Sequence, residues 1–202
     1  MSTLSIFNDM NLDRAPQYGR VIWLTGLSAA GKTTLGRTLC AYLRALGYRV
    51  GQVDGDEVRR GLCSDLGFSP ADRDENVRRI GQFAHTLAGQ GYVVVVSATS
   101  PFEQARAKLR EFIPNFTEVY VNAPVEVCEK RDKKGLYRRA RLGQLSDVPG
   151  MDLPYEPPHH SQIECRTDRE TVDESLQKIL AHVLPLLPVA DLADCHPECA
   201  EP

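Results

Sequence analysis

This 202-residue chain has no long apolar run and no excess of positive charge. The first absence excludes a membrane-spanning helix, which needs about 20 consecutive apolar residues. The second weighs against broad nucleic-acid binding, because 24 Lys and Arg against 27 Asp and Glu leave a formal charge of −3. The polar, acid-containing stretch from Met1 to Asp13 has the layout of neither a signal nor a transit peptide, so a cytoplasmic protein is expected. No internal repeat is visible. The six cysteines show no paired ligand framework: Cys40, Cys63, Cys128 and Cys165 lack ligand spacing, which reads as reduced thiols. Cys195-His196-Pro197-Glu198-Cys199 comes nearer to a metal motif. It lacks a second ligand pair and lies in a Pro-rich end, so a solvated tail is the expectation.

What is present describes one globular domain, 42% hydrophobic and 25% charged, long enough to bury a substantial core. Strand and helix patterns alternate. Strands are expected at Val21–Thr25, Arg49–Val53, Tyr92–Ser97, Glu118–Val121 and Gln162–Cys165. Helices are expected at Gly31–Leu46, Ala71–Gln90, Pro101–Phe112, Val125–Arg131 and Thr171–Leu187, with Pro70 and Asp72 as start signals for the second. The alternation predicts an α/β fold of three layers, a parallel sheet flanked by helices. Val93-Val94-Val95-Val96 is a β-branched run of the kind buried at the centre of such a sheet. Between residues 133 and 160 the pattern loosens into a basic, then Pro-rich stretch. That length inside a compact domain reads as a lid, with Lys133, Lys134, Arg138, Arg139 and Arg141 dense enough to meet phosphates. A solvated basic face is the alternative. The domain is expected to span residues 19–187, with residues 1–18 disordered and 188–202 a flexible tail.

Gly26-Leu27-Ser28-Ala29-Ala30-Gly31-Lys32-Thr33 is a complete G-x-x-x-x-G-K-[ST] phosphate loop, followed by Thr34 and placed between an apolar strand and a helical pattern. The glycines let backbone N–H groups turn around phosphate oxygens, and the helix N-terminus adds its positive dipole end. Lys32 is expected to reach the β- and γ-phosphates, and the Thr33 hydroxyl to ligate magnesium. This strand–loop–helix context predicts a P-loop NTPase or kinase fold that binds a nucleoside triphosphate.

A phosphate loop alone does not separate kinases from GTPases or motors. The chain has no N-K-x-D guanine signature, and Val93–Val96 is followed by Ser97 rather than by an acidic pair. A small domain with a basic lid suits transfer of a γ-phosphoryl to a small acceptor, which requires water exclusion and charge offset. Asp54-Gly55-Asp56 ends the second strand, at the edge that faces the ligand crevice in open α/β sheets. Two carboxylates one residue apart could divide magnesium placement and proton acceptance between them; a plain turn is the structural alternative.

The runs Asp54-Gly55-Asp56-Glu57-Val58-Arg59 and Leu66-Gly67-Phe68-Ser69-Pro70-Ala71-Asp72-Arg73-Asp74-Glu75-Asn76 resemble the substrate-binding segments of adenylylsulfate (APS) kinases. Glu126 to Tyr137 resembles that family's lid, and Pro154-Tyr155-Glu156-Pro157 follows at the family's spacing. The resemblance runs from about Gly19 to Leu187. It implies transfer of the ATP γ-phosphoryl to the 3′-hydroxyl of adenosine 5′-phosphosulfate (APS), with magnesium, as a homodimer in sulfate activation. A fused or partner ATP sulfurylase stays open. By position, Arg59, Arg73 and Asn76 hold the phosphosulfate and ribose, and Phe68 stacks on the adenine. Asp56, Thr99, Ser100, Lys134 and Leu136 complete the acceptor side, and Arg131 lies near ATP. Lys32, Asp54, Asp56 and Ser100 are the implied catalytic set, with Thr33 and Asp54 on the metal. Ser100 matches a serine associated with a phosphorylated intermediate. In-line transfer needs only positioning and charge stabilisation, so Ser100 is read as binding the acceptor, or equally as a helix N-cap before Pro101.

The chain departs from the family at three places. Ala98-Thr99-Ser100-Pro101 stands for an aromatic-Ile-Ser-Pro run, Glu103 for a basic residue, and Val148 for the aromatic that forms the second wall of the adenine sandwich. Two other readings therefore stay open: a same-scaffold kinase of another nucleotide anhydride, such as a phosphoramidate, and a nucleotide-binding partner subunit without transfer activity.

Overall fold

A computed structural model describes residues 18–187 of the chain. The expected N-terminal and C-terminal flanks, including Cys195 and Cys199, lie outside the described residues except for Tyr18, whose hydroxyl is 2.6 Å from His85 Nδ1. Five strands form one sheet: β1 (Arg20–Thr25), β2 (Val50–Asp54), β3 (Val93–Ser97), β4 (Phe116–Asn122) and β5 (Ile163–Arg166). Their order is β2-β3-β1-β4-β5, and every neighbouring pair is parallel.

The helices α1 (Lys32–Ala45), α3 (Pro70–Gly89), α4 (Glu103–Phe112), α5 (Val125–Lys130) and α7 (Val172–Val183) fall close to their predicted positions. Alternation along the strands divides the core in two. Ile22, Leu24, Val93, Val95, Val119 and Val121 pack with Leu35, Leu39 and Leu43 of α1 and Ile179 and Leu180 of α7. Val21, Trp23, Val94 and Val96 pack with Val77, Ile80 and Ala84 of α3 and Leu109 of α4. Because both faces are covered, β1 and β3 read as unbroken apolar runs. Each fully buried branched side chain contributes about 1.5–3 kcal/mol, so this double layer dominates the fold's stability.

The ends of several elements differ from the sequence reading. The fourth helix begins at Glu103 because Phe102 is extended (φ −101°, ψ 131°), so Pro101 does not start it. The closing helix stops at Val183 and tightens into a 3-10 turn at Leu184–Leu186, where Pro185 removes a backbone donor. A short helix α2 (Gly55–Val58) grows from Asp54, which caps it by accepting from the Asp56 N–H at 2.9 Å. The loosened stretch after residue 133 contains helix α6 (Leu136–Arg141), preceded by Gly135 in the left-handed region at φ 66°.

Candidate active site

The phosphate loop leaves β1 at Thr25 and turns sharply at Gly26. There φ is +151°, and a Cβ would come within 2.2 Å of the Val121 carbonyl oxygen, so only glycine fits. Lys32 folds back beneath the loop and donates to the carbonyls of Gly26 at 2.8 Å and Leu27 at 2.7 Å. Burial pushes its ammonium down to about 8, against the attraction of Asp56 and Asp54. Thr33 Oγ1 donates to Asp54 Oδ2 at 2.8 Å, and Ser97 Oγ donates to the Lys32 carbonyl at 3.2 Å. Thr34 is exposed beside them on the first turn of α1. Thr33 and Asp54 offer a hydroxyl and a carboxylate in contact, the hard oxygen donors that suit magnesium, which typically takes one or two carboxylates plus phosphates and water.

Arg131, at the end of α5, donates to the Thr167 carbonyl at 2.8 Å, and Thr167 Oγ1 donates to the Ala30 carbonyl at 2.6 Å. The expected nucleotide residue is thus tied to the loop through Thr167, which the sequence reading missed. Tyr137, at the end of the run that resembles the family's lid, also bears on the loop. It is buried, and its hydroxyl donates to the Ser28 carbonyl at 3.0 Å, pinning α6 to the same loop.

Across Asp56 lies a second cluster. Asp56 forms an ion pair with Lys134, joining α2 to the segment before α6. The Arg59 guanidinium sits 4.5 Å from the Phe68 ring centroid and donates to the Gly67 carbonyl at 2.7 Å. Arg73 sits 5.5 Å from the same centroid and donates to the Asp147 carbonyl at 2.5 Å. Burial, with repulsion from Arg59, lowers the Arg73 guanidinium to about 10. Phe68 itself is half exposed. Two polar atoms here are buried without a hydrogen-bond partner, Arg73 Nε and Asn76 Oδ1. Orphans of this kind are rare in folded proteins, and a donor and an acceptor three residues apart on α3, the first of them beside an open aromatic face, fit a polar ligand.

Ser100 lies at φ 37° and is buried; its hydroxyl accepts from Trp23 Nε1 at 2.9 Å and donates to Thr25 Oγ1 at 3.0 Å. Its cap reading is corrected, because the N-cap of α4 is Phe102. The Thr99 carbonyl accepts from Thr25 at 2.9 Å, and Leu136, the first residue of α6, packs partly buried against the α1 side of the core. Val148 is 1% exposed and belongs to that same core. It is held there by Asp152, whose two carboxylate oxygens accept from the Asp147 and Val148 N–H groups, both at 2.8 Å. Its side chain is therefore part of the protein's packing. Of the basic residues after position 132, Lys134 meets Asp56, while Arg141 pairs with Glu129 on α5.

Residues 18–166 match the model of the family described as adenylylsulphate kinase. An adenylyl-sulfate kinase of Microcystis aeruginosa is 53% identical over 163 residues, covering 81% of this chain and 90% of that one. Among solved structures, an APS kinase of Mycobacterium tuberculosis in complex with AMPPNP and APS is similar at a TM-score of 0.79 and 38% identity, over 82% of this chain and 98% of that chain. A hexameric APS kinase from Thiobacillus denitrificans is similar at a TM-score of 0.64 and 32% identity, over 85% of this chain and 30% of that chain.

Proposed function

We propose that this chain, which belongs to the adenylylsulphate kinase family, transfers the γ-phosphoryl of ATP to the 3′-hydroxyl of APS, giving 3′-phospho-APS (PAPS) and ADP in sulfate activation. The observation that carries this reading is the position of Asp54. One of its oxygens accepts from Thr33 of the phosphate loop and the other from the N–H of Asp56, which faces the Arg59, Phe68 and Arg73 cluster. A single carboxylate thereby sets the distance between the nucleotide end and the acceptor end.

The roles follow from the chemistry of each group. Lys32 exchanges the Gly26 and Leu27 carbonyls for phosphate oxygens, where its charge offsets what builds up during transfer. Thr33 and Asp54 would hold magnesium, which would supply positive charge to offset that of the phosphates. Asp56 accepts the proton of the 3′-hydroxyl, with Lys134 holding the carboxylate in place until the acceptor arrives. Arg59 and Arg73 present planar forks to the phosphosulfate oxygens, a better match than lysine point charges. Phe68 offers one face to the adenine, a contact of about 1–3 kcal/mol by analogy with other base–aromatic stacks. Residues 133–160 act as the lid, and Arg131 sits beside the nucleotide. Ser100 serves through its backbone, since its hydroxyl is engaged with Trp23 and Thr25. The reading includes a cytoplasmic homodimer, whose mass in solution tests it directly.

The deciding experiment measures ATP consumption against APS, adenosine monophosphate and cytidine-based analogues. Conversion of APS to PAPS supports the proposal. Vigorous activity on another nucleotide with APS inert overturns the acceptor and keeps the kinase. ATP left intact with every acceptor points to a nucleotide-binding partner subunit.

A further inference from the structure

Behind Ser100 lies a group of charges that the transfer chemistry above does not use. Arg106 on α4 and Glu118 on β4 are both fully buried, with Arg106 Nε 2.9 Å from Glu118 Oε1. Burying an ion pair seldom improves stability over a well-packed apolar pair, so stability alone gives no reason for this one. The rest of the guanidinium points to a reason. Its Nη1 donates to the Ser100 carbonyl at 2.6 Å, and its Nη2 donates to the Glu156 carbonyl and to Glu103 Oε2, each at 2.6 Å. The other oxygen of Glu118 accepts from Arg110 at 2.6 Å.

We infer that Arg106 is a positioning residue for phosphoryl transfer: its guanidinium clamps the Ser100 and Glu156 carbonyls together and so fixes the backbone of residues 98–101 beneath the acceptor. The inference rests on the proposed acceptor site. Three observations carry it. Ser100 holds a left-handed φ of 37°, a conformation that a residue with a Cβ keeps only when its surroundings impose it. Arg106 grips the Ser100 carbonyl while Trp23 and Thr25 grip its hydroxyl. Next, this backbone abuts the carboxylate pair. A Cβ on Gly55, between Asp54 and Asp56, would lie 3.3 Å from the Ser97 carbonyl oxygen and 3.5 Å from Ala98 Cα, so movement of the loop reaches both acids. Finally, the Glu156 side of the clamp leads back to the phosphate loop. The Glu156 N–H donates to the Pro101 carbonyl at 2.8 Å, and the neighbouring Tyr155 hydroxyl lies 3.0 Å from Thr25 Oγ1, one residue before Gly26. The contacts close a ring through Thr25, Tyr155, Glu156, Arg106 and Ser100. Arg106 meets four oxygens on four residues, one more than the three protons of a lysine ammonium could reach, so lysine is no full substitute.

The test uses the full chain and its single tryptophan, Trp23, as a reporter of the Ser100 hydrogen bond. Arg106→Gln combined with Glu118→Gln removes both charges and keeps a polar amide at each position. The pair is expected to unfold cooperatively and to retain stabilisation by ADP, with a shifted Trp23 emission maximum. Its kcat/KM for APS should fall about 10²-fold, the scale of a 1 Å misplacement, with KM for ATP within about threefold of wild type. A folded pair with wild-type emission and kcat/KM overturns the inference, since Arg106 would then only balance Glu118. If the pair does not fold, Arg106→Lys keeps the charge and is expected to show the same kinetic split; normal kinetics there overturns the inference too. Should neither fold, Arg106 is a stability residue and the inference falls. APS untouched by the wild-type protein would refute the acceptor instead, and the Trp23 signal would still report whether Arg106 holds the Ser100 loop.

Discussion

Lys32, Thr33 and Asp54 are hydrogen-bonded within the protein before any nucleotide arrives, and Lys32 and Asp54 are buried. On the other side of Asp56, by contrast, Arg59 and Arg73 rest on the face of an aromatic ring and on one backbone carbonyl each. The magnitudes say what each arrangement is for. A cation–π contact at an exposed site contributes about 0.5–1 kcal/mol, whereas a hydrogen bond to a charged group contributes about 1.5–3. An anionic acceptor therefore outcompetes Phe68 for both arginines and leaves the ring free to stack. On the proposed roles both ends exchange partners: Lys32 gives up the Gly26 and Leu27 carbonyls from a buried position, whereas the two arginines leave an open ring.

Lys32→Ala attacks the buried half and has the largest expected effect. Turnover should fall at least about 10³-fold while the circular dichroism spectrum is unchanged, because the lost charge acts on the transition state. Near-normal turnover would remove the loop from the mechanism. At the boundary between the halves, Asp56→Asn should lower kcat about 10²-fold or more. Asp54→Asn should do likewise but recover in part as magnesium is raised; indifference to both changes would reduce the acidic pair to a turn.

On the exchanging side, Arg73→Ala should raise KM for APS about tenfold, from one lost charge-assisted bond, and spare KM for ATP. An effect confined to ATP would mean that the two ends have been assigned in reverse.

Val148→Phe tests the same side through packing. On family pattern alone, a ring restored there should tighten acceptor binding or leave it unchanged. Because Val148 is buried in the core, the larger side chain should instead overpack and cost about 1–3 kcal/mol of stability, read as a lower melting temperature. A gain in APS affinity with no loss of stability would show that the segment turns outward when the acceptor binds.

The smallest effect is a proton. Burial lowers Lys32 to about 8 in the folded protein, so between that value and about 10.5 the unfolded chain holds more protons at this group. Its contribution to stability therefore rises with pH through that window. Nucleotide phosphates raise the lysine again, so binding of an ATP analogue near pH 8.5 should take up a fraction of a proton. Calorimetry in buffers of different ionisation heat measures this, and equal uptake by Lys32→Met would assign the proton elsewhere.

The two halves were not equally legible in the sequence. The apolar runs of β1 and β3, the phosphate loop and the Asp54–Asp56 pair are local patterns, and the structure keeps them where periodicity and spacing put them. Helix α6 was hidden because its apolar residues are few and its start depends on Gly135 adopting a positive φ. Family position says which residue stands at Val148, but its burial and the backbone bond to Asp152 that accompanies it follow no local pattern. Arg106 and Glu118 gave no signal at all. Their meeting depends on α4 crossing β4, and a charged residue in an amphipathic pattern reads as solvent-facing unless its partner is known.

The order of the strands has a consequence for how the chain is made. Among the described residues β1 is the first strand, and it lies at the centre of the sheet, yet its register pairs Arg20 with Val93 and Val21 with Phe116. A nascent chain thus holds its phosphate-loop sequence long before either neighbour of β1 has been made, with the apolar run Val21–Leu24 unpaired meanwhile. Contacts so distant in sequence slow folding and prolong the exposure of sticky strands. Since Gly26 is wedged against Val121, the loop reaches its working shape only after β4 docks. Retention on immobilised ATP would then sort completed molecules from stalled ones during refolding.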